Sequence, residues 1–153
     1  MATLINAGPY TGPSPLIHPE SEPFWRSIGN GDLRLQQCSQ CATIRFPIAP
    51  VCYKCGSLSA EWATIPTTGR ISAAIRVERA IGDQAWAQSV PFITALVDMD
   101  SGHRLPGRIL CSCGQAMTHG TPVTGGYLQA PDGWGVLCFL HHCTSNSAAS
   151  SSL

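Results

Sequence analysis

The sequence predicts a mainly β protein: a short N-terminal helix, a metal-stapled ribbon, and a five-stranded antiparallel barrel. Three observations lead there. Two Cys-x-x-Cys knuckles, Cys38–Cys41 and Cys52–Cys55, stand ten residues apart. Before them, Ser21-Glu22-Pro23 opens a short apolar segment containing Phe24 and Trp25. After them, apolar runs alternate with Gly, Pro and Asp turns, the pattern of short strands.

Residues 1–19 contain Gly8-Pro9, Gly12-Pro13, Pro15 and Pro19. They predict an extended arm, disordered or laid along another surface. Ser21 then stands at an N-cap position, with Glu22 and Pro23 in the first turn, where both are favoured. Phe24, Trp25 and Ile28 form the apolar side, and Gly29-Asn30-Gly31 stops the helix. A helix of about two turns cannot bury two large aromatics by itself. Phe24 and Trp25 therefore dock on the rest of the chain or anchor a partner, a role in which Trp is enriched.

Leu33 and Leu35 alternate with polar neighbours and lead into Cys38 as a strand; Ile44-Arg45-Phe46 returns from the first knuckle. Four thiolates in two tight turns complete a tetrahedral site, so Cys38, Cys41, Cys52 and Cys55 read as ligands of one structural Zn2+. Iron accepts the same four sulfurs and is the main competitor. Two disulfides, or four unrelated core thiols, are the plainer alternatives. Gly56 follows Cys55, where the turn favours a positive φ, and Pro47 and Pro50 stiffen the link. A closed four-sulfur site has no open coordination position, so it holds the fold and does not activate substrate. Arg34, Arg45 and Lys54 lie near in sequence to offset its negative charge. Residues 57–62 are expected to leave the ribbon.

The barrel follows. Arg70 to Ile81, Val90 to Met99, His103 to Cys111, Gly120 to Gln129, and Trp134 to Leu140 read as five strands. Gly82-Asp83, Asp100-Ser101-Gly102 and Pro131-Asp132-Gly133 supply turns. Pro106-Gly107 predicts a bulge or an edge, and Gly125-Gly126 a barrel corner. Five short antiparallel strands in this order suit an OB-type barrel. The expected boundaries are an arm at 1–19, helix and ribbon at 20–62, barrel at 63–142, and a disordered polar tail at 143–153.

Composition narrows function. The chain has 153 residues, nine basic and nine acidic, and no net charge. Charged residues make up 12%, about half the usual share, which suggests that a partner covers part of the surface. The basic residues are eight Arg and Lys54, scattered without a stripe, which disfavours nucleic-acid binding. No stretch approaches the ~20 apolar residues of a membrane span. Eight cysteines without a secretion signal fit a reducing, cytoplasmic setting.

The order of parts is itself a signature. Pro23-Phe24-Trp25, Leu33-Arg34-Leu35-Gln36-Gln37-Cys38, Arg45-Phe46-Pro47, Pro50-Val51-Cys52 and Cys55-Gly56-Ser57 closely resemble the acyl-CoA-associated OB-fold proteins with a rubredoxin-like zinc ribbon. That family was long catalogued as a domain of unknown function. Gly69-Arg70-Ile71, the run Val90 to Asp98, and Gly120 to Val123 resemble its barrel, so the likeness covers roughly residues 20–140. It departs at Pro106-Gly107, Cys111-Ser112-Cys113-Gly114 and Gly125-Gly126.

The resemblance implies a small non-catalytic subunit that pairs with a thiolase-fold enzyme and helps form or cover its acyl-CoA site. Partners of the aldolase or hydratase kind are the nearby alternative. It implies a hetero-oligomer with a CoA thioester at the shared site, the thiolase supplying nucleophile and bases. Arg45 beside Phe46 is then the first choice for a CoA phosphate–adenine contact, against the simpler role of balancing thiolate charge. Two other classes stay open. Zinc ribbons and OB barrels also bind single-stranded nucleic acid. Cys111, Cys113, Cys138 and Cys143, with His103, His119, His141 and His142, contain the makings of a Cys–His dyad or a second metal site. Buried thiols and surface histidines are the commoner state of such residues.

Overall fold

In the computed structural model, residues 3–82, 84–111 and 116–141 are described. The tail at 143–153, and Asp83, Cys113, His142 and Cys143, lie outside them. The elements run β1 (Ile5–Pro9), α1 (Glu22–Gly29), β2 (Arg34–Cys38), β3 (Ile44–Arg45), β4 (Ala60–Thr64), β5 (Thr68–Val77), α2 (Gln84–Ala87), β6 (Phe92–Met99), β7 (Arg104–Leu110), β8 (Pro122–Gln129) and β9 (Gly135–Leu140).

The five strands read from the sequence close into an OB-type barrel. β5, β6 and β7 pair antiparallel in succession, β7 pairs β9 in parallel, β9 pairs β8 antiparallel, and β8 returns to β5. Closure joins the two ends of the sheet and leaves short stretches paired on one side only among the described residues, as at residues 73–77 of β5. Strand period puts alternate residues inside: Ala95, Val97 and Met99 of β6 are buried, while Leu96 and Asp98 face out. Ile71, Leu105, Ile109, Val123, Leu137 and Phe139 complete the interior, and burying each such side chain contributes about 1.5–3 kcal/mol.

Two glycine sites make room for distant parts of the chain. Register runs unbroken through Pro106-Gly107, with Leu96 opposite Pro106 and Ala95 opposite Gly107, so there is no bulge. Residues 104–107 are covered by β6 alone, since β9 joins β7 only at Arg108–Leu110; the edge expectation holds. Gly107 makes room for a core ring, because a Cβ there would stand 2.7 Å from Phe139 Cε2. Gly125-Gly126 lie within β8. Their missing side chains admit the arm: a Cβ on Gly125 would stand 2.8 Å from Leu4 Cδ2, and one on Gly126 2.9 Å from the Ile5 carbonyl oxygen.

The arm is therefore part of this chain's own sheet over part of its length. β1 pairs β8 in parallel, Ile5 opposite Gly126 and Asn6 opposite Tyr127. It takes the edge of β8 beyond the stretch paired with β5. Leu4 enters the core at 4% exposure, and its N–H donates to the Gly31 carbonyl at 2.7 Å. The Pro and Gly content hid a strand that needs only five residues and one glycine-lined groove.

α1 has the expected limits. Ser21 occupies the N-cap but its hydroxyl bonds the His18 carbonyl at 3.0 Å, not the helix. Gly31 follows the C-cap at φ 81°. The helix end presses backbone to backbone on β9, since a Cβ on Gly135 would lie 2.7 Å from the Gly29 nitrogen. The ribbon is a three-stranded sheet in the order β3-β2-β4. Residues 60–64 do not leave it: β4 pairs β2 along its whole length, Arg34 opposite Thr64 and Cys38 opposite Ala60. β2 would otherwise expose an unpaired edge, which the returning chain covers before it enters β5.

Candidate metal centre and aromatic cleft

The two knuckles form the same loop twice. In the first, the Ala42 N–H donates to the Cys38 carbonyl at 2.9 Å and the Cys38 N–H to the Thr43 carbonyl at 2.9 Å. In the second, Gly56 donates to Cys52 and Cys52 to Ser57, both at 2.8 Å. Each turn requires left-handed backbone after its second cysteine, at φ 57° for Ala42 and 75° for Gly56.

This geometry gathers four sulfurs. The Sγ atoms of Cys38, Cys41, Cys52 and Cys55 lie within 4.8 Å of one another. Cys38 and Cys55 approach to 3.5 Å, Cys41 and Cys52 to 3.7 Å. A tetrahedron of sulfurs with metal bonds of about 2.3 Å has edges of about 3.8 Å, so the cage has the right size. Backbone N–H groups of Cys41 and Gln40 point at the Cys38 sulfur and hold its pKa down to about 6. The Thr43 hydroxyl and N–H lower that of Cys41. The Ser57 N–H also lowers Cys55, but the Cys38 and Cys41 sulfurs and burial outweigh it, pushing Cys55 up to about 12. Thiolates this close repel, and a divalent cation among them removes the conflict.

Beside the ribbon lies a cleft of about 440 Å3, walled by α1, by Phe46–Ile48 after β3, by Trp86 of α2, and by Thr94, Gly107 and Arg108 on the barrel. Tyr10 and Leu16 of the arm close one side. The Phe24 ring meets Trp25 edge-on at 5.4 Å and lies 5.9 Å from Phe46, so helix and ribbon share one aromatic cluster. The Trp86 ring lies 5.5 Å from that of Phe92, tilted by 32°, and the Phe92 ring also carries Arg108 at 4.6 Å.

Two family models match in tandem: the rubredoxin-like zinc ribbon domain of ChsH2 over residues 25–60, and the C-terminal OB-fold domain of ChsH2 over residues 62–128. The chain belongs to this family. A probable enoyl-CoA hydratase alpha subunit from Thermomonospora curvata is 28% identical over 120 residues, 77% of this chain. The match spans 36% of that relative, so this chain covers about a third of its length. An Ltp2-ChsH2(DUF35) aldolase aligns with a TM-score of 0.74 at 24% identity, over 84% of this chain and 98% of that one. A DUF35-family protein of unknown function from Sulfolobus solfataricus aligns at 0.53 and 16% identity, over 81% and 86%. At these identities the structural likeness speaks for the fold.

Within this ribbon–barrel family framework, the expected site residues separate. Phe24 is 7% exposed and belongs to the chain's own core, whereas Trp25 keeps a partly open face on the cleft. Phe46 lines the cleft. Arg45 is 1% exposed and offers no face to a phosphate in this arrangement. Its Nε and Nη1 have no hydrogen-bond partner among the described residues. The guanidinium that does border the cleft is that of Arg108. Trp86 and Tyr10 were missed; a Trp in a short loop between strands is the signal that could have found the first. Cys111 and His141 come together, with Sγ and Nδ1 3.4 Å apart. Cys138 is fully buried, and burial pushes its thiol up to about 12. His103 faces Ser101 and His119 the Ser72 carbonyl, at 3.3 and 3.0 Å. Among the described residues no helix is long and apolar enough to cross a membrane.

Proposed function

We propose that this chain is a zinc-stapled accessory subunit, cytoplasmic, that pairs with a thiolase-fold enzyme and helps form or cover its acyl-CoA site. One Zn2+ held by Cys38, Cys41, Cys52 and Cys55 fixes the ribbon. With four sulfurs bound it has no open position and takes no part in chemistry. The partner supplies nucleophile and bases for the acyl-CoA reaction. The observation that carries this reading is the cleft of about 440 Å3 where helix, ribbon and barrel meet. It is apolar, lined by Trp25, Phe46 and Trp86, and bordered by Arg108. Apolar walls with one cation suit an acyl thioester whose carrier bears phosphates. The second-knuckle tip, with Val51, Tyr53 and Leu58 exposed at 44%, 79% and 75%, adds a docking face.

The names of the relatives favour a second partner class. One is an aldolase complex containing ChsH2, another a hydratase subunit, so an acyl-CoA aldolase or hydratase is the alternative partner. The test is co-expression with each candidate acyl-CoA enzyme. The expected result is co-elution in size exclusion, one zinc per chain, and turnover lower when this chain is omitted. Separate elution with equal turnover by the enzyme alone would end the proposal.

A further inference from the structure

The parallel pairing of β7 and β9 sets Leu110 opposite Leu140 and ends the two strands side by side. The residue after each carries reactive chemistry. The His141 N–H donates to the Leu110 carbonyl at 3.2 Å, which fixes that backbone. Nδ1 of His141 then stands 3.4 Å from the half-buried Cys111 sulfur, hydrogen-bond distance for a thiol and an imidazole. Both line a second cavity of about 770 Å3 at this end of the barrel. Arg76 and Arg108 also line it, and Arg108 borders the aromatic cleft as well. Arg76 is ion-paired with Glu78. Arg108 lies over Phe92, and its buried Nε has no hydrogen-bond partner among the described residues. A thiol, a base and the side chain of a cationic Arg thus line one cavity.

We propose that Cys111 is an acyl-accepting thiol, with His141 as its base and Arg108 holding an anionic thioester in this cavity. The idea rests on the reading that an acyl thioester is presented to this chain. His141 Nδ1 takes the thiol proton, and the Cys111 thiolate attacks the thioester carbonyl. A new carbon–sulfur bond forms at Cys111 Sγ, and the bond to the carrier sulfur breaks. The carrier thiolate leaves and receives the proton from His141. One thioester replaces another, so no oxidant or reductant is needed and the step runs both ways.

The test uses the full chain with acetyl-CoA and, in parallel, the uncharged acetyl thioester of N-acetylcysteamine. Intact mass follows loading, neutral hydroxylamine identifies a thioester, and peptide mapping locates it. The expected result is a hydroxylamine-labile acetyl group on Cys111 that C111S abolishes. H141Q slows loading by about a hundredfold, the low end for a general base, with its melting temperature unchanged. Arg108→Gln slows loading from acetyl-CoA but not from the uncharged thioester. Cys138, fully buried, stays unmodified and serves as the internal control. No labile acetyl group, one confined to other cysteines, or wild-type loading by H141Q would overturn the proposal. C111S supporting full turnover in the partner complex, together with no loading of the wild type, removes this inference and leaves the accessory role standing. Failure to pair with any acyl-CoA enzyme removes the accessory role, while loading of the isolated chain is still decided by mass.

Discussion

Replacing Gly135 by Ala tests how α1 is held. The added Cβ would stand 2.7 Å from the Gly29 nitrogen, 2.9 Å from its Cα and 2.9 Å from the Ile28 carbonyl carbon. Comfortable contacts are about 3.5–4.0 Å, so helix or strand must move by roughly 0.7 Å. All three atoms are backbone, and none can rotate away. Overpacking of this kind costs about 1–3 kcal/mol, and the upper part of that range applies here. Ala also restricts the unfolded chain, which returns about 0.4–1 kcal/mol. The net loss is about 2 kcal/mol. For a chain of this size that lowers Tm by about 4–8 °C. The assay is calorimetric melting of wild type and Gly135→Ala, both with metal content measured. Metal content should not change, because the substitution lies outside the ribbon. A melt within about 1 °C of wild type would refute the close backbone contact and with it the rigid placement of Trp25.

Three further outcomes follow. Gly56→Ala meets open space but must hold φ 75°, so it should cost about 1 kcal/mol in urea unfolding through conformation alone; an unchanged midpoint would deny the repeated knuckle geometry. Leu4→Ala removes a side chain 4% exposed against β8 and should cost about 2 kcal/mol, near the low end for core Leu because the arm can relax; no loss would mean that the arm does not dock. Arg104 hydrogen-bonds Asp98 and lowers its pKa. The small stability that this exposed pair contributes is present above the unfolded carboxyl range and lost as pH falls through the folded value. The Tm difference between wild type and Asp98→Asn should therefore shrink toward zero on acidification; a difference that grows would reverse the assignment.

The ribbon was legible because its signal is chemical and local. Two equal spacings at Cys38–Cys41 and Cys52–Cys55 leave little else for the chain to do there. The barrel strands were legible through alternation, with ends off by up to four residues, as at Val77. What escaped depends on contacts distant in sequence. β1 reads as a Pro/Gly arm until Gly125-Gly126, more than a hundred residues later, supply the groove that admits it. β4 looks like a connection until the open edge of β2 is considered. Gly107 looks like a breaker until Phe139 needs its space. Arg45 shows the same limit in reverse: its neighbour Phe46 reaches the cleft, but alternation along β3 sends the guanidinium inward. The Cys111–His141 pair was two separate clusters in sequence, joined only by the parallel pairing of β7 and β9.

The accessory-subunit account is tested most directly by the dissociation constant between this chain and its acyl-CoA enzyme, measured for wild type and Trp25→Ala. Trp25 is the aromatic that α1 leaves partly open at the cleft, so it should act as an anchor. The account predicts a stable wild-type complex and a loss of about 2 kcal/mol, roughly thirtyfold in Kd, for Trp25→Ala. A wild-type chain that binds no acyl-CoA enzyme, or a Trp25→Ala variant that binds as tightly as wild type, would contradict it.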